Sequence, residues 1–227
     1  MKRTLRRQTL KQESKTVRAV AWQPFFKKKG NIMNITDICN TALNHIGKGT
    51  VTSVSDQNEL GRTLKIHYDM QRRWLLTEYN WGFARRTEKL SWLDVKVPGW
   101  DYVYAYPNDC LMVRQVYNEE TGSVENPYDI VNINDNTKAI VCNLAGAYID
   151  YTYDVKDVDI FSPDFQQALS YFVAGAIALP LAGSAAMGQQ MKNEGAMMLN
   201  QAKTRTMQER HKKPEYVSAY VRGRWDG

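Results

Sequence analysis

The sequence contains few of the side chains that bind metals or form disulfides. Its three cysteines are far apart and form no CxxC pair: Cys39, Cys110 and Cys142. This spacing disfavours a disulfide framework and a zinc site, and it is typical of a protein made in a reducing cytosol. Its three histidines have no HExxH spacing: His45, His67 and His211. We therefore expect no bound metal and no cofactor.

The sequence also lacks the patterns that identify common enzyme sites. No GxGxxG precedes a helix, and neither GxxxxGK[ST] nor GxSxG is present. Four aspartates are close together but lack the order and the closing Glu of an EF-hand: Asp154, Asp157, Asp159 and Asp164. Acidic residues before a helix are commonly caps. We expect that the chain is not an enzyme, and we assign no catalytic, cofactor-binding or metal-binding residue.

Acidic residues are scarce at the N-terminus, and the net charge of +6 is unevenly distributed. Residues 1–32 hold 10 Lys and Arg against one Glu, a net charge of +9. The remaining residues hold 20 Lys and Arg against 23 Asp and Glu, a net charge of −3. The body is mildly acidic and carries a basic N-terminal extension. Such an extension can bind nucleic acid by neutralising phosphates, or it can simply remain solvated.

A third interpretation of residues 1–32 concerns translation. Lys28, Lys29 and Gly30 precede Met33, and their codons are purine-rich, as in a bacterial ribosome-binding site upstream of a start codon. On this hypothesis Met33 is the natural initiator and residues 1–32 are translated leader sequence. The mass of the protein made from its native transcript tests it, because a mass that includes Met1 would contradict it.

Two amphipathic helices are predicted between Met33 and Trp81. In the first, apolar residues recur at helical spacing along one face: Ile35, Ile38, Cys39, Ala42, Leu43 and Ile46. Gly47 suits the left-handed end of that helix. The second is expected to open with Asp56 and Glu59 in capping-box spacing. Its apolar stripe consists of Leu60, Leu64, Tyr68, Leu75 and Tyr79.

The periodicity then changes from 3.6 to 2, which predicts strands. Trp100, Tyr102, Tyr104 and Tyr106 alternate with other residues, and shorter strands are predicted near residues 111–117, 130–133, 139–141 and 148–153. Turns are expected at residues 134–136 and at 145–146. Short strands with close turns indicate an antiparallel sheet or a small barrel, not a parallel fold with helical crossovers.

Helix is predicted again from Ser162, with Pro163 at its first position and Asp164 in its first turn. No charge occurs from Gln166 to Met191, so a membrane span must be considered. Pro180, several glycines and many alanines instead favour a buried helical hairpin with a kink or turn at residues 180–183. A last helix is predicted at about residues 185–212, and an aromatic tail follows from Pro214.

The order of these elements resembles the head-to-tail adaptor proteins of short-tailed bacteriophages, also called tail tubular protein A. The resembling segments are residues 40–47, 74–81, 104–111, 151–155, 161–165, 168–169 and 178–181. Each is weak alone, and their order and spacing over about residues 33–213 carry the resemblance. Residues 1–32 have no counterpart in it.

The resemblance implies a structural virion protein of the tail, assembled in the cytoplasm of the bacterial host. It implies a twelve-subunit ring that joins the portal to the tail nozzle and fibres, with DNA passing through the lumen during packaging and ejection. An acidic body would repel DNA from the channel wall. The helical part would face the portal and the β module the nozzle. We add a portal interface on the tail: Tyr216, Tyr220, Arg222 and Trp225.

The expected fold is α+β, a bundle of N- and C-terminal helices with an inserted antiparallel β module. Its parts are the basic extension 1–32, the helical domain 33–82 and 160–213, the β module 83–159, and a docking arm 214–227. The alternative function is a nucleic-acid-binding module that acts through the basic extension. An enzyme with a hidden pocket and a membrane-associated protein using residues 168–188 are further alternatives, although we expect no membrane partner.

Overall fold

The fold is described from a computed structural model that covers residues 33–55, 58–119 and 126–209. The basic extension 1–32, Asp56 and the docking arm 214–227 lie outside the described residues. The four expected portal contacts, Tyr216, Tyr220, Arg222 and Trp225, therefore lie outside them too. From Met33 onward the described residues belong to one compact unit.

The fold is α+β, as the sequence predicts. The four described helices are α1 (Ile35–His45), α2 (Glu59–Thr77), α3 (Pro163–Ala182) and α4 (Ala185–Glu209). The six described strands lie between α2 and α3: β1 (Arg85–Lys89), β2 (Tyr102–Ala105), β3 (Cys110–Tyr117), β4 (Tyr128–Asn134), β5 (Thr137–Cys142) and β6 (Tyr148–Tyr153). One-turn 3-10 helices at Gly82–Ala84 and Val158–Ile160 connect the two regions. The bundle is thus formed by the first and last helices, and the strands are an insertion.

Helix α1 begins with a reciprocal capping box. The Asn34 side chain accepts a hydrogen bond from the Asp37 backbone N–H at 3.0 Å, and the Asp37 carboxylate accepts one from the Asn34 N–H at 2.9 Å. The predicted apolar face is buried from Ile38 to Ile46, and Gly47 takes a φ of +67° at the helix end. Ile35 departs from the prediction, since it is 38% exposed.

Helix α2 begins later than the sequence suggests. Asn58 is its N-cap and accepts a hydrogen bond from the Gly61 N–H at 2.7 Å. The expected capping box of Asp56 and Glu59 is wrong, because Glu59 is the first helical residue and cannot occupy the third position. The predicted apolar face is correct: Leu64, Tyr68 and Leu75 are buried, and Leu60 and Tyr79 pack against the same core.

Helices α3 and α4 form the predicted hairpin. Ser162 caps α3 and Pro163 occupies its first turn, while Gly183 ends it in a left-handed conformation, φ +67°. The helix continues through Pro180, so the turn is shorter than predicted. The helices touch at glycines, since a Cβ on Gly188 would lie 3.0 Å from the Gly175 carbonyl oxygen. Helix α3 is long and apolar enough to cross a membrane, but 56% of its most apolar window is buried inside the protein.

The strands form two antiparallel sheets of three strands, ordered β1-β6-β3 and β2-β5-β4. The turns at residues 135–136 and 145–146 lie where the sequence places them. Strand β1 is the element that sequence periodicity missed. Its five residues are polar and mostly exposed, and pairing with β6 from Arg85↔Thr152 to Lys89↔Tyr148 holds them extended.

Candidate functional site

A buried arginine joins the helical bundle to the chain that leaves the β module. Arg72 on α2 is 2% exposed. Its guanidinium donates to the Asp154 carboxylate at 2.6 Å and to the Val155 carbonyl. Both acceptors follow β6 directly. Arg73, its neighbour, lies 3.8 Å from the same carboxylate with a side chain that is 60% exposed. Only Arg72 therefore forms a desolvated contact with this segment.

A second arginine closes the C-terminal end of α2. Arg114 on β3 donates to the Thr77 carbonyl at 2.9 Å and to the Tyr79 carbonyl at 2.8 Å. The last carbonyls of a helix lack partners within the helix and carry partial negative charge. The last turn of α2 has no basic residue of its own. A side chain from the β module therefore supplies the cation.

The described aspartates near α3 have structural partners. Asp154 pairs with Arg72, Asp157 caps the 3-10 helix through the Asp159 N–H at 3.1 Å, and Asp164 pairs with Arg205 at 2.6 Å. Within the described ranges no group of three or more His, Cys, Asp or Glu could hold a metal ion. The predicted role as a cap is therefore found for Asp157, whereas Asp154 and Asp164 form ion pairs that the sequence did not predict.

Burial favours the neutral forms of Cys39 and His45. Burial, with a smaller contribution from Asp69, raises the pKa of the Cys39 thiol to about 12. Burial lowers the pKa of His45 below its usual value. The His45 ring stacks on Tyr171 with centroids 4.1 Å apart, and its Nε2 lies 3.3 Å from the Ser170 hydroxyl. Cys39 is fully buried in the core, and its protonated thiol is a poor nucleophile.

Two clefts on the described surface contain a thiol or a hydroxyl group together with other polar side chains. One of about 560 Å³ runs beside β2 and the β4–β5 turn and is lined partly by Tyr106, Cys110 and Lys138. Burial raises the pKa of the Cys110 thiol, which makes it a weak nucleophile at neutral pH. A cleft of about 300 Å³ between α1 and α3 includes His45 and Ser170, whose hydroxyl already donates to the Gln167 carbonyl at 2.8 Å.

The clearest unpartnered feature is an apolar stripe on α2. Ile66, Met70 and Trp74 follow one another at i, i+4 and i+8 and are 64%, 54% and 42% exposed. We call these three residues the α2 stripe. Trp74 also packs edge-to-face against the Phe172 ring, with the ring centroids 5.1 Å apart. The charged residues beside the stripe lie on one flank: Arg62, Lys65, Asp69 and Arg73.

Helix α4 exposes a broad face without charge. We call this surface the α4 face, and it spans about 140° of the helix circumference. Its members are Ala186, Gln189, Gln190, Asn193, Ala196, Met197, Asn200, Gln201, Thr204, Met207 and Gln208. The charged residues of α4 all lie beside it or on the far side. A solvated helix surface normally carries charges of both signs, so this face has the chemistry of a contact surface.

Neither surface was predicted from the sequence. Apolar periodicity identifies residues that face the core, whereas the α2 stripe and the α4 face consist of residues that face outward. Sorting the exposed helical positions of α2 and α4 by charge could have found them. Comparisons with protein-family models and with curated proteins give no match for this chain. The functional argument therefore depends on these surfaces and on the sequence resemblance.

Proposed function

We propose that this chain is a structural subunit of a virion, a head-to-tail adaptor that forms a ring between the portal and the tail nozzle of a short-tailed bacteriophage. Its partners would be identical copies, the portal, nozzle and fibre proteins, and DNA that passes through the lumen without sequence-specific binding. The ring would hold twelve copies. It would assemble in the host cytoplasm and remain in the tail, and it would catalyse no reaction.

The observation that carries the proposal is the pair of uncovered surfaces on the bundle. The α2 stripe exposes large apolar side chains, and the α4 face exposes amides and methionines without charge. Exposed apolar surface of this kind marks contacts with other macromolecules. The predicted order of helix pair, antiparallel strands and helix hairpin, found in the described fold, agrees with the resemblance.

The direct experiment mixes the purified chain with the portal protein of the same virus and images the product by electron microscopy. We expect a ring of density added to one end of the portal. A portal that stays bare at saturating concentrations would contradict the proposal.

The docking arm gives a finer test. Alanine at Tyr216, Tyr220 and Trp225 should prevent portal binding, because large aromatic side chains contribute most of the energy at such contacts. Alanine at exposed Trp92 on the β module, 62% exposed, is the matched control and should leave portal binding unchanged. Equal binding by the triple variant and the intact chain would rule out the arm as the portal contact.

The nucleic-acid alternative makes a separable prediction. Removal of residues 1–32 leaves a net charge of −3, which should abolish DNA affinity if the extension is the binding element. Ring assembly should persist in the shortened chain under the adaptor proposal. A shortened chain that fails to assemble while the full chain binds DNA would favour the alternative.

A further inference from the structure

We propose that the α2 stripe of one copy packs against the α4 face of the next copy, in a head-to-tail contact that repeats around the ring. This inference rests on the proposed ring and names the two surfaces that join its subunits. Because the two surfaces differ, each copy offers one of each, as a closed ring requires.

The shapes of the two surfaces fit this pairing. Ile66, Met70 and Trp74 project from α2 as a row of large side chains. A shallow groove of about 400 Å³ overlaps the α4 face. It is lined by four members of the face, Asn200, Gln201, Thr204 and Gln208, and by Arg205 at the edge of the face. A row of apolar side chains placed in a groove between polar helix residues is a common mode of helix recognition.

The charges favour the same pairing. The members of the α4 face carry no charge, and Arg205 at the edge of its groove is already paired with Asp164 at 2.6 Å. Covering the face therefore removes no unpaired ion from water. Arg62 beside the α2 stripe and Glu194 beside the α4 face take part in none of the ion pairs of the described residues. A head-to-tail contact can bring these opposite charges to its rim, where they guide the encounter.

The size of the contact predicts weak pairing. Helix α2 has 19 residues, which is about 28 Å at 1.5 Å per residue. One helix along another over that length buries less than the roughly 800 Å² per partner of a standard stable interface. Two copies should therefore associate weakly, and a ring should be stabilised because every copy makes two contacts.

The test uses two single variants of the full chain, Met70→Glu in the stripe and Met197→Glu in the face, with sedimentation equilibrium up to millimolar concentration. The intact chain should associate with concentration, and each variant should weaken association by about tenfold or more, since burial of an unpaired carboxylate opposes the contact. Met112→Glu is the matched control, because Met112 is 42% exposed on β3. Circular dichroism checks that all three variants fold.

The decisive sample is an equimolar mixture of the two variants. The Met70→Glu variant keeps an intact α4 face, and the Met197→Glu variant keeps an intact α2 stripe. These two intact surfaces should bind each other, and the resulting heterodimer should grow no further because its remaining surfaces both carry a substitution. A mixture that stays monomeric, an intact chain that stays monomeric, or variants that associate as strongly as the intact chain would overturn the inference. If each variant alone still forms a ring on the portal, the proposed contact is wrong but the adaptor proposal remains. If the intact chain forms no ring on the portal, the adaptor proposal itself is wrong.

Discussion

At the scale of single residues, two arginines hold the bundle and the β module together. Arg72 reaches from α2 to the segment after β6, and Arg114 reaches from β3 to the last carbonyls of α2. Each satisfies backbone carbonyls that water reaches poorly. Such contacts change the free energy of unfolding little while both partners are present, but removal of one partner lowers it strongly because the other stays buried without a partner. The relative placement of the two regions therefore depends on a few named hydrogen bonds.

Arg72→Met should lower the free energy of unfolding by about 3–5 kcal/mol, because it leaves the Val155 carbonyl without this donor and the Asp154 carboxylate with only the exposed Arg73 nearby. Urea unfolding followed by tryptophan fluorescence measures the change. Arg73→Met, at an exposed position beside the same carboxylate, should change stability by less than about 1 kcal/mol. Similar losses for both variants would contradict the role given to Arg72.

His45 should make stability depend on pH. Its pKa is lowered by burial, so the unfolded chain binds the proton more readily than the folded one. The contribution of neutral His45 to stability is fully present above the pKa of His45 in the unfolded chain, near about 6.5. This contribution is lost as the pH falls through that value toward the lower pKa of His45 in the folded chain. The free energy of unfolding should therefore decrease between about pH 7.5 and about pH 5.5 more steeply in the intact chain than in His45→Phe. Equal slopes for the two proteins would exclude this role for His45.

At the scale of elements, the hairpin of α3 and α4 depends on glycine for close approach. A Cβ on Gly175 would lie 3.0 Å from the Gly188 carbonyl oxygen, and one on Gly195 would lie 3.1 Å from the Phe172 ring. These three glycines lie at the crossing of the two helices. The close helix packing that these glycines allow stabilises the hairpin by more than their low helix propensity destabilises it.

Gly188→Ala should destabilise the hairpin by about 1–3 kcal/mol, because its Cβ would lie 3.0 Å from a backbone oxygen that cannot move away alone. Alanine would otherwise stabilise a helix interior by about 1 kcal/mol relative to glycine. Thermal unfolding shows whether Gly188→Ala raises or lowers the stability of the protein. Ala196→Gly, on the exposed side of α4, provides the comparison and should cost about 1 kcal/mol through propensity alone. A more stable Gly188→Ala protein would contradict the close contact.

The same elements show which features the sequence can predict. The helix faces and most strands were predicted because burial imposes periods of 3.6 and 2 on apolar residues. Strand β1 has no such period, since it is a polar edge strand held by β6. The partners of Arg72 and Arg114 were not predictable either, because they lie 82 and 37 positions away and are brought together only by the fold. The α2 stripe and the α4 face have no core period and went unnoticed for the same reason.

At the scale of the whole molecule, the chain separates its surfaces by chemistry. The core of the bundle is apolar, and Trp81 and Phe165 are fully buried within it. The outward sides of α2 and α4 are left without a partner in the described structure. Residues 83–159 carry 7 Lys and Arg against 13 Asp and Glu, a net charge of −6. An acidic inserted module beside uncharged helix faces suits a subunit that binds its neighbours through its helices and does not grip DNA.

On the adaptor proposal, the outward faces of α2 and α4 join identical copies to one another, and the docking arm joins the resulting ring to the portal. Native mass spectrometry of the purified chain, alone and after mixing with the portal protein of the same virus, tests it most directly. The account predicts concentration-dependent association of the chain alone and a closed ring of copies on each portal. A chain that remains monomeric in both samples would contradict it.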